Sequence, residues 1–207
     1  MLNKIRDYLD FAGLQYRNPD KAGEEREKMM AFRHKGQEAR KAFTELAKAF
    51  QVRHPEWQLQ QTSQWMNQAQ RLRPHFWAYI QREGKVTEPM LALRLYGSPS
   101  DFGVSLEVSF IERKKDEQTL GKQAKVLEIP AVEGIYYLAY SDGQSQRWEA
   151  TEENRQILRN KLSNQEVRKV LVKIDVPVTD NSSEEEIVEA LLKSYDKILP
   201  FYLATRK

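Results

Sequence analysis

Two runs of alternating apolar residues face each other across a turn in the stretch 90–112, MLALRLYGSPSDFGVSLEVSFIE. Leu91, Leu93 and Leu95 alternate with Ala92, Arg94 and Tyr96; Val104, Leu106, Val108 and Phe110 alternate with Ser105, Glu107 and Ser109. A period of two is that of a strand with one buried face. Between the runs, Gly97-Ser98-Pro99-Ser100-Asp101 holds residues that bend a chain or hydrogen-bond their own backbone. The simplest joining is an antiparallel hairpin with a loop longer than two residues. Whatever else this chain builds must cover the apolar side of that hairpin.

The flanking sequence supplies strands and helices for the purpose. Residues 75–83 alternate Phe76, Ala78 and Ile80 with Trp77, Tyr79 and Gln81, which predicts a strand ahead of the hairpin. Residues 134–140 and 146–150, joined through Ser141-Asp142-Gly143-Gln144, predict a second hairpin. Val170, Val172, Ile174 and Val176 share one face of a further strand that Pro177 should end. Helices are expected over 2–12, over 20–50 with a break at Gly36, over 113–128, and over 151–162 with Thr151 as cap. The clearest amphipathic helix carries Ile187, Val188, Leu191, Leu192, Tyr195 and Ile198, with Ser182 and Glu185 as a capping box and Pro200 as its stop. The segment 57–66 fits helix or strand: Trp57 and Trp65 are two helical turns apart, yet WQLQQTSQW also alternates. The expected fold is α+β, with N-terminal helices, a mostly antiparallel sheet and a C-terminal covering helix. Residues 1–73 form its helical part and residues 74–207 its α+β part, packed together as one domain.

Composition removes several function classes. With no cysteine among 207 residues, disulfides, thiolate nucleophiles, cysteine-ligated zinc and iron–sulfur clusters are excluded. The start MLNKIRDYLDF has charges throughout and lacks the apolar core of a signal peptide, and no apolar run approaches the roughly 20 residues that span a bilayer. A cytoplasmic protein that does not enter a membrane is expected. The net charge is +3, and the excess lies in residues 1–60, where 12 Lys and Arg face 9 Asp and Glu. That is a small surplus for a dedicated nucleic-acid binder, although a local basic face is compatible with it.

Signatures of chemistry are few. No glycine-rich nucleotide loop, GxSxG or HExxH occurs, and His34, His54 and His75 are about 20 residues apart, with no spacing that suggests a metal site. The most specific candidate is Glu112-Arg113-Lys114. On a strand, Glu112 and Lys114 project from the same side, where the acid could hold Mg²⁺ and the lysine could stabilise an attacking water or phosphate charge. This tripeptide resembles the Glu-x-Lys element of the PD-(D/E)xK nucleases, whose mixed sheet flanked by helices agrees in outline. The resemblance implies a second acid. Asp101 sits at the wrong end of the strand for it, and Glu88 is better placed but departs from the Pro-Asp pattern.

A non-catalytic binding module needs less. Arg71, Arg73, Arg94, Arg113, Lys114 and Lys115 could contact phosphates, and Trp57, Trp65, Trp77 and Trp148 could stack on bases. The expected function is therefore a nucleic-acid-associated binding module with DNA or RNA as partner and no cofactor. The alternatives are a protein-interaction or regulatory domain, and a Mg²⁺-dependent nuclease built on Glu112, Lys114 and Glu88.

Overall fold

The computed structural model describes residues 2–82, 88–110 and 117–206. Two helices lead, α1 (Leu2–Leu9) and α2 (Arg26–Val52), followed by strands β1 (Gln58–Leu59), β2 (Trp77–Gln81), β3 (Met90–Ser98) and β4 (Asp101–Ser109). After α3 (Glu117–Ala124) come β5 (Tyr136–Ser141), β6 (Gln144–Glu149), α4 (Glu152–Ser163), β7 (Lys169–Val178) and α5 (Glu184–Thr205). Among the described residues the strands form one antiparallel seven-stranded sheet in the order β1-β2-β3-β4-β7-β5-β6. The α+β architecture, with helices at the N-terminus and a C-terminal helix over the sheet, is as the sequence predicts.

The register explains where the core lies. Leu91, Val108, Val172 and Tyr137 stand opposite one another across four strands, as do Leu93, Leu106 and Ile174, and Leu95, Val104 and Val176. This face is buried together with Ile5 and Tyr8 of α1, Phe43, Leu46 and Phe50 of α2, and Leu191, Ile198 and Phe201 of α5 in one apolar cluster. Where the β4–β7 ladder ends, α3 supplies a plug: the Gln123 amide donates to the Val108 carbonyl at 3.2 Å and to the Val170 carbonyl at 3.0 Å. The Gln123 amide thereby ties the end of β4 to the start of β7.

Several local expectations are corrected. The β3–β4 hairpin closes in two residues, because Ser98 pairs with Asp101 around Pro99-Ser100. Gly97 makes this possible with φ +92°, at a point where a Cβ would lie 2.0 Å from the Asp101 carbonyl oxygen. The segment 57–66 contributes a two-residue strand, not a helix, and Trp57 and Trp65 are both buried. Gly36 does not break α2; it makes room for Trp65, whose Cε3 would stand 2.6 Å from a Cβ there.

Both prolines expected to end elements lie inside them. Pro177 pairs with Gly103, one residue before the end of β7, where a missing N–H donor costs little. Pro200 sits within α5, which runs on to Thr205. An interior proline costs about 3 kcal/mol, but the turn it precedes buries Phe201 (0% exposed) and Tyr202 (1%). Each buried aromatic contributes roughly 1.5–3 kcal/mol, enough to hold the helix. The cap of α5 is one residue later than read: Ser183 accepts from the Glu186 N–H and the Glu186 carboxylate accepts from the Ser183 N–H. Ser182 is engaged instead by the backbone N–H of Thr179, at 2.9 Å.

Two glycines give opposite expectations. A Cβ at Gly103 would stand 2.4 Å from the Val176 carbonyl oxygen and 2.4 Å from the Tyr96 hydroxyl. Gly103→Ala should therefore destabilise the protein by about 1–3 kcal/mol. Gly121, in α3, has open space around it, and Gly121→Ala should stabilise by up to about 1 kcal/mol through helix propensity. Urea unfolding midpoints of the two variants check both signs.

Candidate functional site

Away from the apolar core, the sheet's second face is made by the residues that alternate with it. One row reads Trp77, Arg94, Ser105, Asp175; the next reads Tyr79, Ala92, Glu107, Lys173, Tyr136, Glu149. Alternation alone would leave Ser105, Glu107 and Ser109 on a wet face. They are 0%, 0% and 2% exposed. β4 is the central strand, and the long side chains of its neighbours close over its short ones.

Glu107 is thus a fully buried carboxylate. Arg94 donates to its Oε1 from Nε at 3.0 Å and from Nη2 at 2.9 Å, and Lys173 Nζ lies 3.1 Å from its Oε2. Burial alone would push this carboxyl up; the Arg94 guanidinium and the Lys173 ammonium outweigh it and hold the group below its ordinary value. One buried anion against two cations leaves the centre of the face positive. Burial raises the Tyr79 phenol above its ordinary value, and the Arg94 charge works against that rise.

The network continues towards the β6 edge. The Tyr136 hydroxyl donates to Asp175 at 2.9 Å, and Arg147 Nη1 donates to the other Asp175 oxygen at 3.0 Å. Burial, then the Asp175 charge, raises the Tyr136 phenol far above its usual range, so it remains a donor. β2 and β5 are four ladder steps apart, about 19 Å in a flat sheet. Burial is the main reason the Tyr140 phenol is raised, but Glu107, Arg94 and Tyr79 all act on it as well.

Its cations rest on rings. Arg73 and Arg94 lie 4.7 and 5.4 Å from the Trp77 ring centroid, Arg147 lies 3.7 Å from that of Tyr136, and Lys169 lies 4.6 Å from Tyr140 and 5.2 Å from Phe110. Such contacts are worth roughly 0.5–2 kcal/mol each and fix flexible side chains in place. Five cations, Arg73, Arg94, Arg147, Lys169 and Lys173, share the face with four carboxylates, Asp101, Glu107, Asp175 and Glu149. The local excess is one, against +3 for the whole chain.

The residues singled out from sequence are scattered by the fold. Glu112, Arg113, Lys114 and Lys115 lie outside the described residues. Glu88 sits just before β3 and pairs with Lys122 at 3.4 Å. Asp101 is at the other end of the same hairpin, opposite Ser98, and the ten residue steps from Glu88 to Ser98 span about 33 Å at about 3.3 Å per residue. Among the described residues, no group of three or more acids or histidines is arranged to hold a metal ion. Arg71 donates to the Gly13 carbonyl beside the Gln15 bridge, apart from the sheet face. Arg73 and Arg94 do belong to the face, and of the four tryptophans Trp77 does. Trp57 and Trp65 are core residues. Sequence reading missed Glu107, Lys173, Asp175 and Tyr136; the signal was a lone acid at a polar position of the strongest strand, but its partners follow only from strand order.

No family model matches the chain, and comparison with curated proteins and with solved structures likewise gives no match. Among the described residues, no helix is long and apolar enough to cross a membrane.

Glu107→Gln should be among the most damaging single changes on this face. It leaves two cations facing a neutral group in the interior, a loss of about 3–5 kcal/mol for a broken buried pair, towards the lower end because Arg94 keeps 23% of its side chain exposed. The wild-type contribution has a definite pH dependence. Its pKa is depressed in the folded state, so the stabilisation is complete above the ordinary carboxylate value and disappears as pH falls through the folded value. Acid unfolding curves of wild type and Glu107→Gln should converge at low pH.

Proposed function

We propose that this protein is a non-catalytic binding module for nucleic acid, with the second face of its sheet as the contact surface. The observation that carries this reading is the seating of cations on aromatic rings across that face. A guanidinium or ammonium laid on a ring has already lost much of its rotamer freedom, so taking up a phosphate costs less ordering. Arg73 spends its Nε on the Met66 carbonyl and points its planar fork over Trp77. Glu107 is committed to Arg94 and Lys173, and Asp175 to Tyr136 and Arg147, which mutes the two central carboxylates towards an approaching anion. The half-buried rings of Trp77, Tyr79 and Tyr140 give bases an apolar edge to lie against.

Fluorescence anisotropy with short single-stranded DNA, single-stranded RNA and duplex, at about 50 and 200 mM salt, tests the reading. Saturable binding should weaken steeply with salt, and Arg73→Ala and Lys169→Ala should each lower the slope of log K against log salt by about one. Absence of binding to all three at the lower salt would sink the proposal.

A further inference from the structure

We infer that His75 couples binding at this face to proton uptake: a bound phosphodiester is held more tightly when His75 carries a proton. The inference rests on the nucleic-acid reading above and adds its regulation. His75 precedes β2 by two residues, and the backbone alternation that places Trp77 on the second face places His75 there too. The extension of β3–β2 bonding to the Phe76 carbonyl, which accepts from the Leu95 N–H at 2.8 Å, keeps that alternation in force at this position. The His75 ring stands 5.7 Å from the Trp77 ring, the same ring that Arg73 and Arg94 flank.

The charged groups acting on the imidazole come from four places. Arg73 lies on its own segment, Arg94 on β3, Lys173 on β7, and Glu107 on β4 is the one carboxylate among them. Glu107 is already shared between Arg94 and Lys173. In the free protein, burial first, then Arg94, Arg73 and Lys173, press the imidazole below its ordinary value, so it is neutral at pH 7. An anion that settles among those cations cancels their repulsion and supplies the missing counter-charge. The proton is then taken from solvent onto a ring nitrogen, and the complex gains one positive charge at the contact.

By linkage, binding should tighten as pH falls through the interval between the depressed free value and the higher bound value, by at most about tenfold per pH unit. The ligand should be a single-stranded oligonucleotide without terminal phosphate, because its diesters do not titrate in this range. Affinity measured from pH 8 to pH 5.5, with calorimetry in two buffers of different ionisation enthalpy, should show close to one proton taken up by the wild-type protein. His75→Gln should bind with the wild type's pH 8 affinity throughout and take up none, while His34→Gln, at an exposed position of α2, should behave as wild type. Proton uptake that persists in His75→Gln, or binding by wild type without uptake, would overturn the coupling and leave the binding reading standing. No binding at any pH would overturn both.

Discussion

A carboxylate with no exposure sits on the central strand of the sheet, and the polar face is arranged to tolerate it. An isolated buried anion would cost many kcal/mol, enough to exceed the whole stability of an ordinary domain. Arg94 and Lys173 remove that cost, and they can do so only from β3 and β7, the two strands that flank β4. The requirement therefore reaches beyond three side chains. A one-residue slip of β7 would turn Lys173 into the apolar core and bring Val172 or Ile174 against Glu107. The apolar face fixes register by shape and burial; the ionic centre fixes it again by charge. Hydrophobic replacements of similar volume could be as stable, so the ionic form is better understood through what it places on the surface: a positive centre held beneath aromatic side chains.

How much of this the sequence discloses depends on the range of the interaction. Period-two alternation identifies β2, β3, β4 and β7, because each strand's inward residues are apolar without help from its neighbours, while β5 and β6 are marked by the turn between them. The end of the β3–β4 hairpin is tighter than its sequence suggests, because Gly97 allows a closer approach than the surrounding turn residues imply. Local preference makes Pro177 and Pro200 stops; Pro177 is tolerated next to the end of β7, and at Pro200 the burial of Phe201 and Tyr202 outweighs the preference, a burial that depends on contacts such as Trp57 with Tyr202, far apart in sequence. Gly36 looked like a helix breaker and proved to be a recess for Trp65, 29 positions further on. The candidate site was harder still. Arg73 and Arg94 stand out as cations, but Glu107 looks like an ordinary solvent-facing acid until the strand order brings Lys173 beside it.

The division between the two faces gives the protein two kinds of packing. The helical side is filled with close-fitting aliphatic and aromatic residues, where specificity is steric. On the other side, cations lie on rings and on carboxylates and the Tyr136 phenol bonds to Asp175, so much of the cohesion there is electrostatic and responds to salt and protons. A surface of that kind suits a ligand that carries charge, since exchange of one counter-ion for another need not disturb the scaffold beneath.

The order in which strands enter the sheet has a further consequence for folding. β4 meets β3 through a two-residue turn, a contact of short loop length that forms quickly, but its other neighbour, β7, follows some sixty residues later, after β5 and β6. Until β7 docks, β4 presents an open edge whose inward side chains, Phe102, Val104, Leu106 and Val108, are strongly apolar, the combination that invites pairing with another unfinished chain. In that interval Glu107 has only one of its two cations. A charge in the middle of the exposed strand makes self-pairing unfavourable, because two such edges would set like charges close together in a drying interface. The residue that locks the finished sheet thus also acts as its gatekeeper during assembly, and Lys173 on the incoming strand is the feature that distinguishes the correct partner from another copy of β4.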